Sequence, residues 1–370
     1  MIILAAAIIL SLSNSGIIGK ANKAKTDTDI SNAKDLVAMA HADWMLDEAK
    51  IKENDSTITS FSNYAEKKLE EAGYKVGVGA YTVTEDGGVY EGLNKVARET
   101  IKSGIEIGAI IKGYNELLAT KPDDDKKYPI ETGVVSNTEQ QDLEIITSYT
   151  WKYIGVGKDG SLQMAPDMTG TTNQITIGGA NGYLNGPRVL NEICKKLYSV
   201  ESKGTARSMN IDDVLTLLEY NGPKGTYFTS AGRVETAEPF TVEVLEKELG
   251  QLKNRVTPDG KDNFISYESN YYYINKTEHV NRITTDETRK GIIYQPKSYW
   301  LASTCVQAGF HVGWSGYRLR SAGGSVVSAD DLFLSNERPY YWGRAVRPVV
   351  SLDSNVQLTP NENKTEWTIS

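Results

Sequence analysis

YWLASTCVQAGFHVGWSGYRLRSAGGSVVSADDLFLSNERPYYWGRAVRPVVSL, residues 299–352, is the stretch on which the reading of the fold turns. Apolar runs at Tyr299–Ser303 and Ala345–Leu352 bracket it. Val346, Val349, Val350 and Leu352 have the composition of a buried strand, and Pro348 predicts that this strand lies at an edge or a bulge. Arg318-Leu319-Arg320 reads as a strand entering a turn at Gly323-Gly324, with Val326-Val327 returning. Between these strands Trp314, Tyr340, Tyr341 and Trp342 sit among glycines and small polar residues. Framework strands thus alternate with segments that carry exposable aromatic groups, which is the pattern of a binding surface.

Working outward, 370 residues suffice for two or three domains and at least one sizeable core. A net charge of −8 argues against a general nucleic-acid binder and against an anionic-membrane binder. Cys194 and Cys305 are the only cysteines, too few for a disulfide-dense scaffold; one bridge and two buried thiols are both open readings. His41, His279 and His311 are far apart in sequence, so a histidine-rich metal site is not expected.

At the start, Met1–Leu12 is almost purely apolar, but twelve helical residues reach only about 18 Å against a hydrocarbon core of roughly 30 Å. It lacks the basic region that opens a signal peptide. From Lys23 to about Lys50, Ile30, Ala33, Val37, Ala40 and Trp44 recur at helical steps, with His41 beside the stripe as a surface or packing residue. A second helix is predicted from an N-cap at Ser62 to Ala72, stopped by Gly73. Residues 74–147 read as a small β-rich connector. It holds a hairpin turning at Asp86-Gly87, a short helix in LNKVARETIK, and a strand through GIEIGAIIKGY. Asp123-Asp124-Asp125-Lys126-Lys127 is a solvated loop without the pattern of a calcium loop.

From Thr150 a further domain begins. Gly155, Gly157 and Gly160 fit G-x-G-x-x-G, but Lys158-Asp159-Gly160 is hairpin-turn chemistry, whereas a dinucleotide fingerprint must open a helix. Asn185-Gly186-Pro187 predicts a helix start, with Val189, Leu190, Ile193, Cys194 and Leu197 as its buried stripe. Asn210 caps the next helix, with Asp213 at its third position; Asn221-Gly222-Pro223 ends it, and Arg207 is placed to meet a carboxylate. Residues 223–291 read as an insertion holding a helical pattern at Val242–Lys253 and a tyrosine cluster, Tyr271-Tyr272-Tyr273.

YWLAS, YRLRSAGGSV, LFLSN and AVRPVVSL, with WKYIGVGKDGSL at the front of the domain, resemble the C-terminal domain of surface proteins from gut Firmicutes. In that family a pilin-type N-terminal helix precedes a C-type-lectin-like domain, and some such domains are targets of diversity-generating retroelements. The resemblance covers roughly residues 150–222 and 292–353. It implies an α+β protein: 1–73 a pilin-like helical N-terminus, 74–147 the connector, 148–355 the lectin-like ligand-binding domain with its insertion at 223–291, and 356–370 a tail. It also implies a cell-surface or extracellular location, anchored by the N-terminal hydrophobic helix. The cleavage Gly and nearby Glu usual in the pilin-like segment are missing, so the hydrophobic segment reads as truncated by a start at an internal Met; a plain buried N-terminal helix is the alternative.

Chemistry is hard to place on this sequence. Neither a Gly-x-Ser-x-Gly elbow nor a Walker loop occurs. Formylglycine-generating enzymes share the lectin-like fold but use a pair of C-terminal cysteines, and only Cys305 lies near this end. Gln295-Pro296-Lys297 fails the calcium-lectin tripeptide at its third position. The expectation is therefore a non-enzymatic protein without cofactor or metal. Its ligand-binding set is Thr304, Gln307, Phe310, His311, Trp314 and Tyr317 in one loop-like segment, and Glu337, Arg338, Tyr340, Tyr341 and Trp342 in another. Aromatic residues and arginine carry much of the energy at interfaces, and Trp300 and Phe333, inside framework words, are expected in the core. The expected partner is a protein or glycan on another cell or a phage surface, with pilin-like subunits as further partners through the N-terminal helix. The alternative is a structural minor pilin or pseudopilin of a fibre or secretion apparatus.

Overall fold

A helix that presents Ala33, Val37, Ala40 and Trp44 on one side must cover that side, and here it does so against a second helix and a hairpin. The structure, a computed structural model, describes residues 16–130, 142–218, 226–228, 234–236, 286–308, 315–323, 326–334 and 340–370. The chain is mixed α+β and divides into two units, 1–105 with 158–161, and 106–157 with 162–370.

In the first unit α1 (Gly16–Asn54) bends at Asp47, whose φ of −152° and ψ of 45° are not helical. Trp44 meets α2 (Phe61–Glu71) through Phe61 and Tyr64, at ring separations of 6.2 and 5.8 Å, and His41 is exposed against the edge of Phe61 at 4.9 Å. The cap of α2 is Ser60, two residues before the predicted Ser62, because Phe61 has to lie inside the helix to be buried and Ser62 is buried with it. Gly73, at φ +89°, ends this helix as predicted. Strands β1 (Tyr81–Val83) and β2 (Val89–Glu91) form the expected hairpin, and α3 (Lys95–Lys102) starts from a cap at Asn94. Glu66 ties these elements together: its carboxylate accepts from Arg98 at 3.1 Å, from Lys102 at 2.8 Å and from the Val83 amide at 3.1 Å.

The division between the two units falls inside the segment read as a connector, after Ile105. Of the strand predicted through GIEIGAIIKGY only β3 (Ile110–Lys112) exists, since Gly104 and Gly108 adopt φ of +83° and +92° and break the extended run. The short helix α4 (Tyr114–Ala119) and the strand pair β4 (Lys127–Tyr128) and β5 (Leu143–Glu144) follow. Next come β6 (Thr150–Val156), β7 (Leu162–Asp167), β8 (Gln174–Gly178), α5 (Gly179–Tyr198), β9 (Gly204–Ser208) and α6 (Ile211–Leu217). The glycine motif at 155–160 turns the β6–β7 hairpin and opens no helix.

After α6 the described chain holds the strand pair β10 (Thr226–Phe228) and β11 (Val234–Thr236), then α7 (Glu287–Ile293). Val242–Lys253 and Tyr271–Tyr273 lie outside the described residues. The last strands are β12 (Tyr299–Ala308), β13 (Ser315–Gly323), β14 (Val326–Leu334), β15 (Tyr341–Ala345), β16 (Pro348–Leu352), β17 (Leu358–Pro360) and β18 (Glu366–Ile369). One sheet has the order β17-β18-β3-β6-β7-β16-β9 and the other β14-β13-β12-β15-β8. The expected tail is therefore framework: β18 runs parallel to β3, and Trp367 is fully buried.

Two further expectations are corrected. The helix predicted from Asn185 begins at Gly179, and Pro187 lies inside it. Gly182 and Gly186 keep that first half close to the sheet, because a Cβ at 182 would meet Ile177 Cγ2 at 2.8 Å and one at 186 would meet Leu319 Cδ2 at 3.3 Å. Pro348 does not mark an edge: β16 runs between β7 and β9, and Pro348 is its first residue, where the missing N–H costs least. The capping box of Asn210 and Asp213 is formed, and Arg207 holds the Asp213 carboxylate through both terminal nitrogens.

Between β15 and β16 the chain passes from one sheet to the other through Val346 and Arg347. The Arg347 guanidinium is buried, donates to the Pro166 carbonyl from Nε at 3.2 Å and Nη2 at 3.1 Å, and lies 4.7 Å above the centre of the Tyr299 ring. Arg347→Ala is expected to cost about 3 kcal/mol, combining an unpaired carbonyl with a cavity. Urea denaturation read by tryptophan fluorescence checks this, and an unchanged midpoint would show that the tie contributes little.

Candidate ligand-binding face

Strand β15 brings the second aromatic cluster to the surface. It pairs antiparallel with β8, Tyr341 opposite Gly178, Trp342 opposite Ile177 and Arg344 opposite Ile175. Its lead-in is fixed on two sides: the Tyr340 amide donates to Leu332 O at 2.9 Å, and Tyr340 O accepts from the Gly179 amide at 3.1 Å. Tyr341 and Trp342 therefore stand on a hydrogen-bonded strand, where sequence reasoning had placed them in a loop.

Tyr341 is 53 % exposed and Trp342 40 %; among the described residues of this unit they are the only large apolar side chains left in solvent. The Tyr341 ring rests on Gly178, where a Cβ would come within 2.7 Å of Cγ of that ring, so the glycine makes the seat. On the other side of the strand, two residues beyond Trp342, the Arg344 guanidinium lies 5.5 Å from the centre of the Trp342 ring and donates to Gly343 O at 3.0 Å. Sequence reasoning missed Arg344 and Gly178. The first was legible as the i+2 neighbour of Trp342 on a strand; the second needed the pairing register.

The remaining predicted residues divide by what the structure describes. Thr304 and Gln307 lie on β12, opposite Leu319 and Gly316, and Tyr317 lies on β13 opposite Val306, so Tyr317 belongs to a strand and not to a loop. The side chains of Thr304, Gln307 and Tyr317, and the whole of Phe310, His311, Trp314, Glu337 and Arg338, lie outside the described residues, as does the Phe333 side chain. Trp300 is in the core as expected, donating from Nε1 to Ile175 O at 3.2 Å.

Other candidates resolve into framework. Gln295 is buried; it accepts from the Met168 amide at 2.6 Å and donates to Gly291 O at 2.9 Å, bracing the approach to β12. Cys194 is a free thiol inside the stripe of α5, and burial pushes its pKa up, so its nucleophilic thiolate is suppressed. Among the described residues no cluster of three or more His, Cys, Asp or Glu could hold a metal ion, and no helix is long and apolar enough to cross a membrane. Compared with protein-family models, with curated proteins and with solved structures, the chain matches none.

Gly178→Ala tests the seat. The added methyl has to displace the Tyr341 ring and press on the Tyr340 carbonyl, so a loss of about 2 kcal/mol is expected, with shifted Tyr341 resonances in NMR spectra. A variant with native stability and unmoved Tyr341 signals would mean that the ring does not rest there.

Proposed function

We propose that this protein is a surface-displayed ligand-binding protein, an adhesin or receptor-binding protein, that breaks no bond. Its C-terminal region acts as a C-type-lectin-like scaffold, and its N-terminal region as a pilin-like anchor to the cell surface. The ligand is a protein or glycan carried by another cell or a phage surface. The observation that carries this reading is the exposure of the Tyr341 and Trp342 rings on a strand paired along its length with β8 and led in by the Tyr340 amide bonded to Leu332 O. Large rings held ready at the surface lose little conformational entropy on docking, and aromatic side chains beside an arginine supply most of the energy at interfaces. Arg344 adds a cation that recognises carboxylates or ring faces. The proposal keeps Thr304, Gln307, Phe310, His311, Trp314, Tyr317, Glu337, Arg338 and Tyr340 as further ligand-binding positions on a constant frame.

The test is a screen of glycan and cell-surface protein arrays with the whole chain, repeated with Tyr341→Ala/Trp342→Ala. Hits should weaken by roughly 2 kcal/mol or more, about thirtyfold, while the unfolding midpoint stays within about 1 kcal/mol of the parent. Hits that survive the double substitution would overturn the assignment of the face. A variant that unfolds would show the rings to be structural. Sequencing codons 300–352 in the source population examines diversification separately. Changes should crowd at positions such as Thr304, His311, Trp314 and Tyr340 with YWLAS and RPVVSL constant, and a uniform sequence leaves a fixed receptor.

A further inference from the structure

Tyr341 and Trp342 are consecutive on a strand, so their side chains leave β15 on opposite sides of the sheet. Trp342 and Arg344 share a side with Ile177 and Ile175, their buried partners on β8. Tyr341 shares the other side with Gly343 and with their partners Gly178 and Thr176; Gln174, two residues further along β8, faces the same way. Of these, Tyr341, Gly343 and Gln174 are exposed and Thr176 is half-buried. The two glycines shape this surface. Gly178 lets the Tyr341 ring lie down on the ladder, and Gly343 leaves a notch beside that ring, where an added Cβ would meet only Thr176 Oγ1, at 3.5 Å. Two residues on, Ala345 is fully buried in the core, so the notch ends there. Its floor is backbone, one wall is a tyrosine ring, and a hydroxyl borders it.

Building on the ligand-binding reading given above, we propose that this notch is a subsite for one neutral pyranose ring of a glycan. Size decides first. Two residues along a strand span about 7 Å, and directly paired residues lie about 5 Å apart. That is room for one sugar ring, and less than the roughly 10 Å width of a helix. A protein docking here would bury about 800 Å² on each side, of which a single tyrosine supplies at most about 250 Å². Chemistry points the same way. A pyranose has C–H groups on its flat face and hydroxyls around its edge. The C–H groups suit the electron-rich face of Tyr341, and the hydroxyls find donors and acceptors in Thr176 and Gln174. Charge excludes the acidic sugars: none of the five positions carries a charged side chain, and Arg344 is turned to the other side of the strand. A single ring held by one stacking contact binds with a dissociation constant on the order of millimolar, so adhesion between surfaces draws on many such contacts.

Titrations of the whole chain followed by saturation-transfer NMR test the proposal. The probes are the methyl glycosides of glucose, galactose, mannose and N-acetylglucosamine, with N-acetylneuraminic acid as the charged comparison. At least one neutral glycoside should bind in the millimolar range, at least tenfold more tightly than the acid. Tyr341→Ala and Gly343→Val should each weaken it at least tenfold, whereas Tyr341→Phe and Trp342→Ala should change it less than threefold. Gly343→Val fills the notch at ordinary contact distance with a residue that suits a strand, so circular dichroism and melting should stay as in the parent. Binding that survives Gly343→Val, or that falls as far with Trp342→Ala as with Tyr341→Ala, overturns the subsite. A preference for the acid overturns the ligand class. If no neutral glycoside binds while a protein hit on the arrays depends on the two rings, the subsite falls and the ligand-binding reading stands. If no hit of either kind depends on them, both fall.

Discussion

A guanidinium taken out of water has to be compensated locally, and at Arg347 the compensation is built from three parts of the C-terminal unit. Among the described residues no carboxylate pairs with it. The Pro166 carbonyl at the end of β7 accepts twice, Met209 sulfur lies 3.6 Å from Nη1, and the Tyr299 ring faces the cation. Burial raises the pKa of the Tyr299 hydroxyl, which donates to Ile293 O at 2.9 Å, while the cation over the ring acts in the opposite direction. Such a charge is tolerated only where every donor finds a partner, so its position is narrowly fixed. Because Arg347 lies at the passage from β15 to β16, fixing it also fixes where one sheet hands the chain to the other. The backbone follows the same route: Met209 N donates to Arg347 O at 2.9 Å, and Ala302 N donates to Met209 O at 2.8 Å.

Close approach is the second constraint. Gly323, at φ +150°, turns β13 into β14 where a side chain would run into the backbone at Ser298, and Gly178 gives up its side chain to the Tyr341 ring. The outer edge of β9 is closed by α5 and the chain just after it. The Ala206 amide donates to Ser199 Oγ at 2.8 Å, and the Ser208 amide donates to Asn191 Oδ1 at 3.0 Å. An edge strand whose N–H groups are already engaged offers no template for another chain. Exposed apolar surface on this unit is thereby confined, among the described residues, to the start of β15.

What could be read from sequence was whatever depends on local spacing. The α1 stripe, the hairpin at Asp86-Gly87, the Asn210–Asp213 capping box and the Arg207–Asp213 pair all connect residues near one another in the chain. What could not be read depends on partners far away. Pro348 resembles an edge signal until β9 is known to pair with Val349 and Val350. Gly182 and Gly186 resemble helix breakers until Ile177, Leu319 and Leu332 are known to press on them. The 356–370 segment looks like a tail until β3, some 250 residues earlier in the chain, lies beside it. The site divides in the same way. Tyr341 and Trp342 were legible by composition, whereas the seat at Gly178 exists only through the β8–β15 register.

At the exposed rings of β15 the backbone is committed elsewhere, to the β8 ladder, and the apolar side chains are left to face water. Leaving such groups in solvent forfeits roughly 25 cal/mol per Å² that burial would recover. A fold that buries Trp151, Trp300 and Trp367 completely has no general difficulty in covering large rings. The exceptions are therefore informative by their position. They sit where ordering has already been achieved by neighbouring hydrogen bonds and packing, so an incoming surface gains the burial without first having to immobilise the chain that offers it.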